Sequence, residues 1–495
     1  MSRHTHPLRR PLTLTLVAIA ASIALAVGQD RERQWLAGDS HIHSQWSPGY
    51  DRATDPPTPV LGRDAIYPTP VNARRAKEFG LQWMVTTDHG GPNHSKLNLT
   101  QAYEELKRSR HEVPAVLQFY GMELNMPAMD HHTLIIPRSD DEWKTLFNIE
   151  SQFDADEAWP PDPRRDSEAM GFQALTYMKG LTRLPLMFAN HPSRSATGVR
   201  AYGLDEPREF RANNDVAPEV YHGMEGGPGH QAGALAPDGS IKRDTAGNPT
   251  GSRGGYGNAG AATFGGFDQM TARVGGLWDA LLGEGRRFWI VATSDSHANY
   301  TETSRPSSDF WPGQFHKTYV YAHRTYDDVL DGLRHGRVFA VAGDLVSELA
   351  LTATAAGGGR ADIGGTLRVP AGTDVTITIQ FRDPDTRNAH GDNPRVARID
   401  LITGDVRGQA ENRNADVNDT AKVIARYTAG EWRVRDGVTT VTATLPRLSQ
   451  SMYVRVRGTS GAELEPSMDP PGEDPWSDLW LYTNPVFIDV VRETP

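Results

Sequence analysis

At 495 residues, with 23% charged and 38% hydrophobic side chains, the chain is long enough for two or three domains and has too ordinary a balance for wholesale disorder. Its formal net charge of −11 argues against sequence-independent binding to nucleic acid or to an anionic membrane. It contains no cysteine, which excludes disulfides, thiolate metal ligands and a cysteine nucleophile.

At the N-terminus, Arg3, Arg9 and Arg10 precede an apolar run from Leu12 to Val27 that ends in small residues before "QDRERQ". This is the pattern of a secretory signal, with residues 1–28 expected to be removed. The run is short for a membrane span, so no stable membrane insertion is expected after cleavage. An exported chain without disulfides suits a bacterial periplasm or secretion.

From about residue 35 to 322, apolar β-like runs alternate with helix-like pieces. The strand candidates are "LQWMVTT", "AVLQFYGME", "HTLIIP", "LPLMFAN", "EVYHG", "FWIVATS" and "KTYVYA". Between them lie "TPVNARRAKEFG", "LTQAYEELKRSRH", "DSEAMGFQALTYMKG" and "GLWDALLGEG". This alternation predicts a parallel sheet covered by helices, open or closed into a barrel. A Gly-rich stretch, residues 223–268, reads either as a flexible surface insertion or as a loop covering an active site. Residues 345–495 change texture: "DVTITIQF", "TVTATL" and "MYVRVRG" alternate with period two between turns, predicting an all-β sandwich.

The polar residues at the ends of the predicted strands carry the chemistry. In "GDSHIHSQWSPGYD", His41 and His43 are two apart, so in an extended chain both imidazoles point the same way. "WMVTT" runs into Asp88-His89, "LQFYGM" into Glu123, "PLMFAN" into His191, and "FWIVATS" into Asp295-Ser296-His297, while His131 and His132 open "TLIIP". Any one of these could be a helix cap or a satisfied core histidine. Together, imidazoles and carboxylates at nearly every strand end are what two or three divalent ions require, and the donor set suits Mn, Zn or Fe.

These motifs, His41-x-His43, Thr87-Asp88-His89-Gly90, Glu123, His132, Asn190-His191-Pro192 and Ser294-Asp295-Ser296-His297, resemble the polymerase and histidinol phosphatase (PHP) superfamily. The resemblance covers roughly residues 35–340 and implies a distorted (β/α)7 barrel over residues 29–344, followed by the sandwich. It also implies a bi- or trinuclear metal centre that hydrolyses phosphate esters. By similarity His41, His43, Glu123 and Asp295 would bind one ion, and Glu123 would bridge to a second held by His132 and His191. His132 is preferred to His131 because family members place a histidine just before an apolar run. His89 and His297 would serve a third site. There the chain departs from the family, reading Ser47-Pro48-Gly49 where an acid or histidine is common, with Asp51 as the nearest substitute.

The expected nucleophile is a hydroxide bridging the ions. Asp88 is expected to orient His89 or another ligand, Arg194 to grip a phosphoryl oxygen, and His222 or His230 to protonate the leaving group. With one convincing cation near the motifs, small phosphodiesters are the expected substrates. A carbamate or carboxylic ester hydrolase using the same centre is the nearest alternative, and a metal-braced binding module a more distant one.

Overall fold

The computed structural model describes residues 32–253, 256 and 262–491. The expected signal segment, residues 1–28, and part of the Gly-rich stretch lie outside the described residues. No helix among the described residues is long and apolar enough to cross a membrane.

The N-terminal region contributes β1 (Gln34–Asp39), a small hairpin of β2 (Gly49–Asp51) and β3 (Thr58–Val60), then β4 (Trp83–Thr86), β5 (Leu117–Asn125), β6 (His131–Ile136), β7 (Leu186–Ala189), β8 (Tyr221–Gly227), β9 (Trp289–Ala292), β10 (His316–Ala322) and β11 (Val338–Ala342). The strands β4, β7 and β9 are buried at every position, which is why they read as continuous apolar runs. Helices fill most connections. Thr69–Glu78 carries Pro70 in its first turn, where a missing N–H costs nothing, and Glu168–Lys179 is capped by Ser167, whose hydroxyl accepts from the Met170 N–H.

The C-terminal region adds β12 (Glu348–Ala355), β13 (Arg360–Asp362), β14 (Thr366–Pro370), β15 (Thr373–Arg382), β16 (Arg398–Asp405), β17 (Lys422–Thr428), β18 (Arg433–Arg435), β19 (Val438–Leu448), β20 (Met452–Thr459), β21 (Trp480–Thr483) and β22 (Val486–Val491). Strands β13-β12-β15-β19-β18 form a five-stranded antiparallel sheet. In β15 the alternation buries Val375, Ile377, Ile379 and Phe381, the period-two signal of "DVTITIQF".

Apart from the β2–β3 hairpin, the remaining strands join one large mixed sheet in the order β14-β22-β20-β21-β11-β10-β1-β4-β5-β6-β7-β8-β9, with β16 and β17 branching from β20. This overturns the expected (β/α)7 barrel: the chain is mostly β, built on a large mixed sheet. Two features prevent the barrel. Only residues 126–130 link β5 to β6, too few for a crossover helix, so β6 runs antiparallel to both β5 and β7. The free edge of β1 is taken by antiparallel β10, and the segment after the far strand β9 meets the segment after β1 at the isolated Ile42–Ser296 bridge. The sheet then continues through β11–β21 pairing, Phe339 opposite Thr483, so both regions share one sheet and one buried core. A buried ion pair, Arg455 bidentate to Asp279 at 2.9 and 2.7 Å, locks the same joint.

Candidate metal centre

The Ile42–Ser296 bridge brings the segment after β1 beside the segment after β9. His43 N–H donates to the Ser296 carbonyl, and Asp295 N–H to that of His41. Asp39, buried, accepts from the backbone N–H groups of His41 and Ser294 and so pins both segments; burial pushes its carboxyl up to about 7. Asp88 performs a similar task from the end of β4, accepting from the Ser44 N–H and hydroxyl at 2.6 and 2.9 Å. It therefore clamps the backbone behind the paired histidines rather than touching their rings.

At this rim the side chains converge. His41 Nε2 lies 2.9 Å from His43 Nε2 and 3.2 Å from both Glu123 Oε1 and Asp295 Oδ1. His43 Nε2 is 3.1 Å from the same Asp295 oxygen. Glu123, near the end of β5, is the hub: Oε1 is 3.1 Å from His131 Nδ1 and from His191 Nε2, and Oε2 is 2.8 Å from His89 Nδ1. His297 stacks on His43 with ring centroids 3.9 Å apart and approaches Asp64 at 3.5 Å. Groups able to hold a metal ion follow from this packing: His41, His43 and Asp295; His89, Glu123 and His131; and His43, Asp64, His89 and His297.

The electrostatics fit a cation. Buried Glu123 Oε2 and Asp295 Oδ1 accept no hydrogen bond, and buried His191 Nδ1 has no partner. The two carboxylate oxygens both lie within 3.4 Å of His43 Nε2, and buried acceptors without hydrogen bonds are costly unless something positive lies beside them. Burial, with the neighbouring His297 and His89, holds His43 well below the usual imidazole range, which leaves it neutral. Glu123 is buried, but His131, His89 and His41 hold its carboxylate well below the ordinary range. His191, His230 and Asp295 all adopt positive φ, 30°, 58° and 47°, the local strain that concentrates where side chains must be aimed.

The expected site residues divide clearly. His41, His43, His89, Glu123, His191, Asp295 and His297 come together. His132 does not: neighbours on a strand face opposite ways, and on β6 it is His131 that faces Glu123. His132 instead meets the Tyr221 hydroxyl at 3.2 Å and the Asp130 carbonyl at 3.0 Å, and burial lowers it to about 4. His222 is also misplaced as a proton donor, since it is the second residue of β8, bonds the Glu219 carbonyl at 2.9 Å and faces Arg334. His230 reaches the cluster, with Nε2 2.8 Å from Asp295 Oδ2 and Nδ1 2.5 Å from Asp309 Oδ1. Gly229 makes that approach possible, because a Cβ there would sit 2.2 Å from the Ser294 carbonyl oxygen. Arg194 lines the same cavity, of about 330 Å³, but is held by Asp130 at 2.6 Å.

Four functional groups escaped the sequence reading as ligands or orienting groups. Asp64 comes from the loop after β3 and stands beside His89 and His297, where Asp51 was considered; Asp51 instead caps its own turn through the Ala53 N–H. Asp309 accepts from the His297 and Ala298 N–H groups. His131 takes the place expected of its neighbour His132. Glu225, buried on β8, accepts from His41 Nδ1 at 2.7 Å, the Thr293 hydroxyl at 2.9 Å and the His191 N–H at 2.7 Å. Its place in a β-run, "HGMEGG", is the signal that could have marked it.

No family model and no curated protein matches the chain. One solved structure that it matches is a cellulose-active LPMO, CelS2, in complex with copper, at 10% identity and a TM-score of 0.15. The match covers 25% of this chain and 53% of that one, about half of its length. At that level it carries no argument about fold or function.

Proposed function

We propose that the protein is a metal-dependent hydrolase of small phosphate esters, with phosphodiesters preferred, acting with two or three divalent ions of the Mn, Zn or Fe kind. The observation that carries the reading is the clustering of seven imidazoles (His41, His43, His89, His131, His191, His230, His297) with the carboxylates of Glu123, Asp295 and Asp64, of which His89, His230, His297 and the three carboxylates line one solvent-open cavity. A purely structural site needs four ligands and closes them off; this one has more donors and faces solvent.

His41, His43, Glu123 and Asp295 would hold one ion, Glu123, His131 and His191 a second, and Asp64, His89 and His297 a third. Ions held there supply Lewis acidity to phosphoryl oxygens and acidify water at neutral pH. The chain's own residues do the rest. Glu225 holds a proton on His41 Nδ1, leaving Nε2 as the donor atom. Arg194 faces the cavity and orients a phosphoryl oxygen. His230, at the cavity wall between Asp295 and Asp309, would pass a proton to the leaving oxygen. Export to a periplasm or beyond accords with the N-terminal residues.

The diester preference rests on charge. Arg194 and Arg305 are the guanidinium groups of the wall; Arg194 is bonded to Asp130, and Arg305 to the backbone carbonyls of Arg63 and Asp64. A monoester dianion gains least from cations already engaged beside several carboxylates. Metal analysis of the purified protein, followed by matched aryl phosphodiester, phosphomonoester, carboxylic ester and carbamate assays, tests the reading. Chelation should abolish turnover and added metal restore it, with kcat/KM for the diester at least about tenfold above the monoester. Full activity without metal, or preference for the carbamate, would overturn it.

A further inference from the structure

A second cleft lies on the other side of the shared sheet's middle strands. The β1–β10 register sets Trp35 opposite Tyr321 and Ala37 opposite Tyr319, and the β10–β11 register sets Tyr319 opposite Phe339. Directly opposed residues share a face, so these four aromatic rings form one surface. The intervening residues, Leu36, Val320 and Val338, are buried on the opposite face, where helix Tyr326–Arg334 packs. Trp35 and Tyr321 lie 5.2 Å apart at 49°, making a twisted platform, and Tyr319 stacks on Phe339 at 4.7 Å and 9° behind it. Tyr321 is 40% exposed.

The five-stranded sheet stands off this surface, presenting Leu351 and Ile363, and leaves a cleft of about 760 Å³. That is more than twice the 330 Å³ of the metal cavity and within the range of small-ligand sites. Three properties narrow its ligand. First, the charges at its rim are already paired: Arg33 bidentate with Asp328, Arg337 with Asp331 at 2.7 Å, and Arg360 with Asp362 at 2.9 Å. An ionic ligand would have to break these pairs. Second, the platform keeps neutral hydrogen-bonding groups, since the Tyr319 and Tyr321 hydroxyls and Trp35 Nε1 make no hydrogen bond to another described residue. Third, the strands that carry Tyr319, Tyr321 and Phe339 offer a peptide no edge. Both β10 and β11 are paired on both sides. Beside β1, the Ala37 N–H donates to the Gln82 side chain and the Leu36 carbonyl accepts from Trp83 Nε1.

The geometry points to a carbohydrate site: the cleft binds a neutral oligosaccharide, one pyranose face lying on Trp35 and the next on Tyr321. A pyranose ring carries apolar C–H faces and a rim of hydroxyls, the complement of aromatic faces bordered by neutral donors and acceptors. The site is independent of the metal centre and of the activity proposed for it.

The test is binding of cellohexaose, xylohexaose, maltohexaose and chitohexaose to the full chain, followed by calorimetry and tryptophan fluorescence. At least one should bind with a Kd of ~0.01–1 mM. Tyr321→Ala and Trp35→Ala should each weaken it about tenfold or more, because truncating an aromatic anchor removes most of its contact area. His43→Ala, in the metal centre, should leave it unchanged. Should Trp35→Ala fail to fold, the exposed Tyr321 carries the test. No binding of any of the four at ~5 mM, binding indifferent to the aromatic variants, or binding lost with His43→Ala would each overturn the assignment.

Discussion

Glu225 offers the sharpest test of how the cluster is held. Its carboxylate accepts three hydrogen bonds, two of which fix proposed metal ligands on different segments: the His41 ring through Nδ1 and the His191 backbone through N–H, both at 2.7 Å. In Glu225→Gln the side chain keeps its shape but has one oxygen where two acceptors are needed. Its NH₂ must then face either the His41 Nδ1–H or the His191 N–H, so the imidazole changes tautomer or the loop shifts. Loss of such a partner typically lowers metal affinity 10–100-fold, about 1.4–2.7 kcal/mol. Glu225→Ala, which removes both acceptors, should fall at or beyond the upper end. The assay is competition for metal against a chromophoric chelator, with melting of the metal-free and metal-loaded proteins alongside. The loss should appear mainly in the metal-loaded form, which a general packing defect would not produce. Affinities within about twofold of the parent for both variants would refute the reasoning; a parent chain that binds no metal would instead refute the metal centre itself.

Three other outcomes follow from named contacts. Glu123→Ala should lose more metal than any single ligand His→Ala, because its two oxygens lie within 3.4 Å of five imidazole nitrogens; equal stoichiometry by elemental analysis would contradict its role as hub. Burial and the nearby Arg334 lower His222 to about 3 in the fold against 6.5 unfolded, so between those values the unfolded chain takes up the proton first and stability falls as pH drops. At pH 5 the loss relative to pH 8 is roughly 2 kcal/mol, and His222→Gln should remove it, read as a smaller shift of the urea midpoint between those two pH values. Arg455→Met leaves Asp279 buried without its cation and should cost about 3–5 kcal/mol in denaturant unfolding, with Asp279→Leu in the same chain recovering most of it.

What was legible in the sequence and what was not separate along a physical line. A buried strand ends where its apolar run ends, so the next polar residue is delivered to the sheet's rim. His41, His43, His89, His191, Asp295 and His297 are local facts of that kind, and the structure brings them together. Parity and direction are not local. Whether His131 or His132 faces Glu123 depends on the β5–β6 register, which sets Asn125 opposite His131 and Glu123 opposite Thr133. Continuous apolar strands do not disclose whether they run parallel, so "HTLIIP" fits an alternating barrel in sequence although a five-residue link turns it back antiparallel to β5. Asp64 and Asp309 sit in loops without period, and only long-range backbone bonds bring them in. The Ala65 N–H reaches the Ser47 carbonyl and the Ile66 N–H that of His297, which places Asp64 against the third group of imidazoles. A ligand supplied by such a loop is specified by the hydrogen bonds that fold the loop back, not by its own neighbours in sequence. That is why Asp51, nearer in the chain to the paired histidines, stays outside the site while Asp64 enters it.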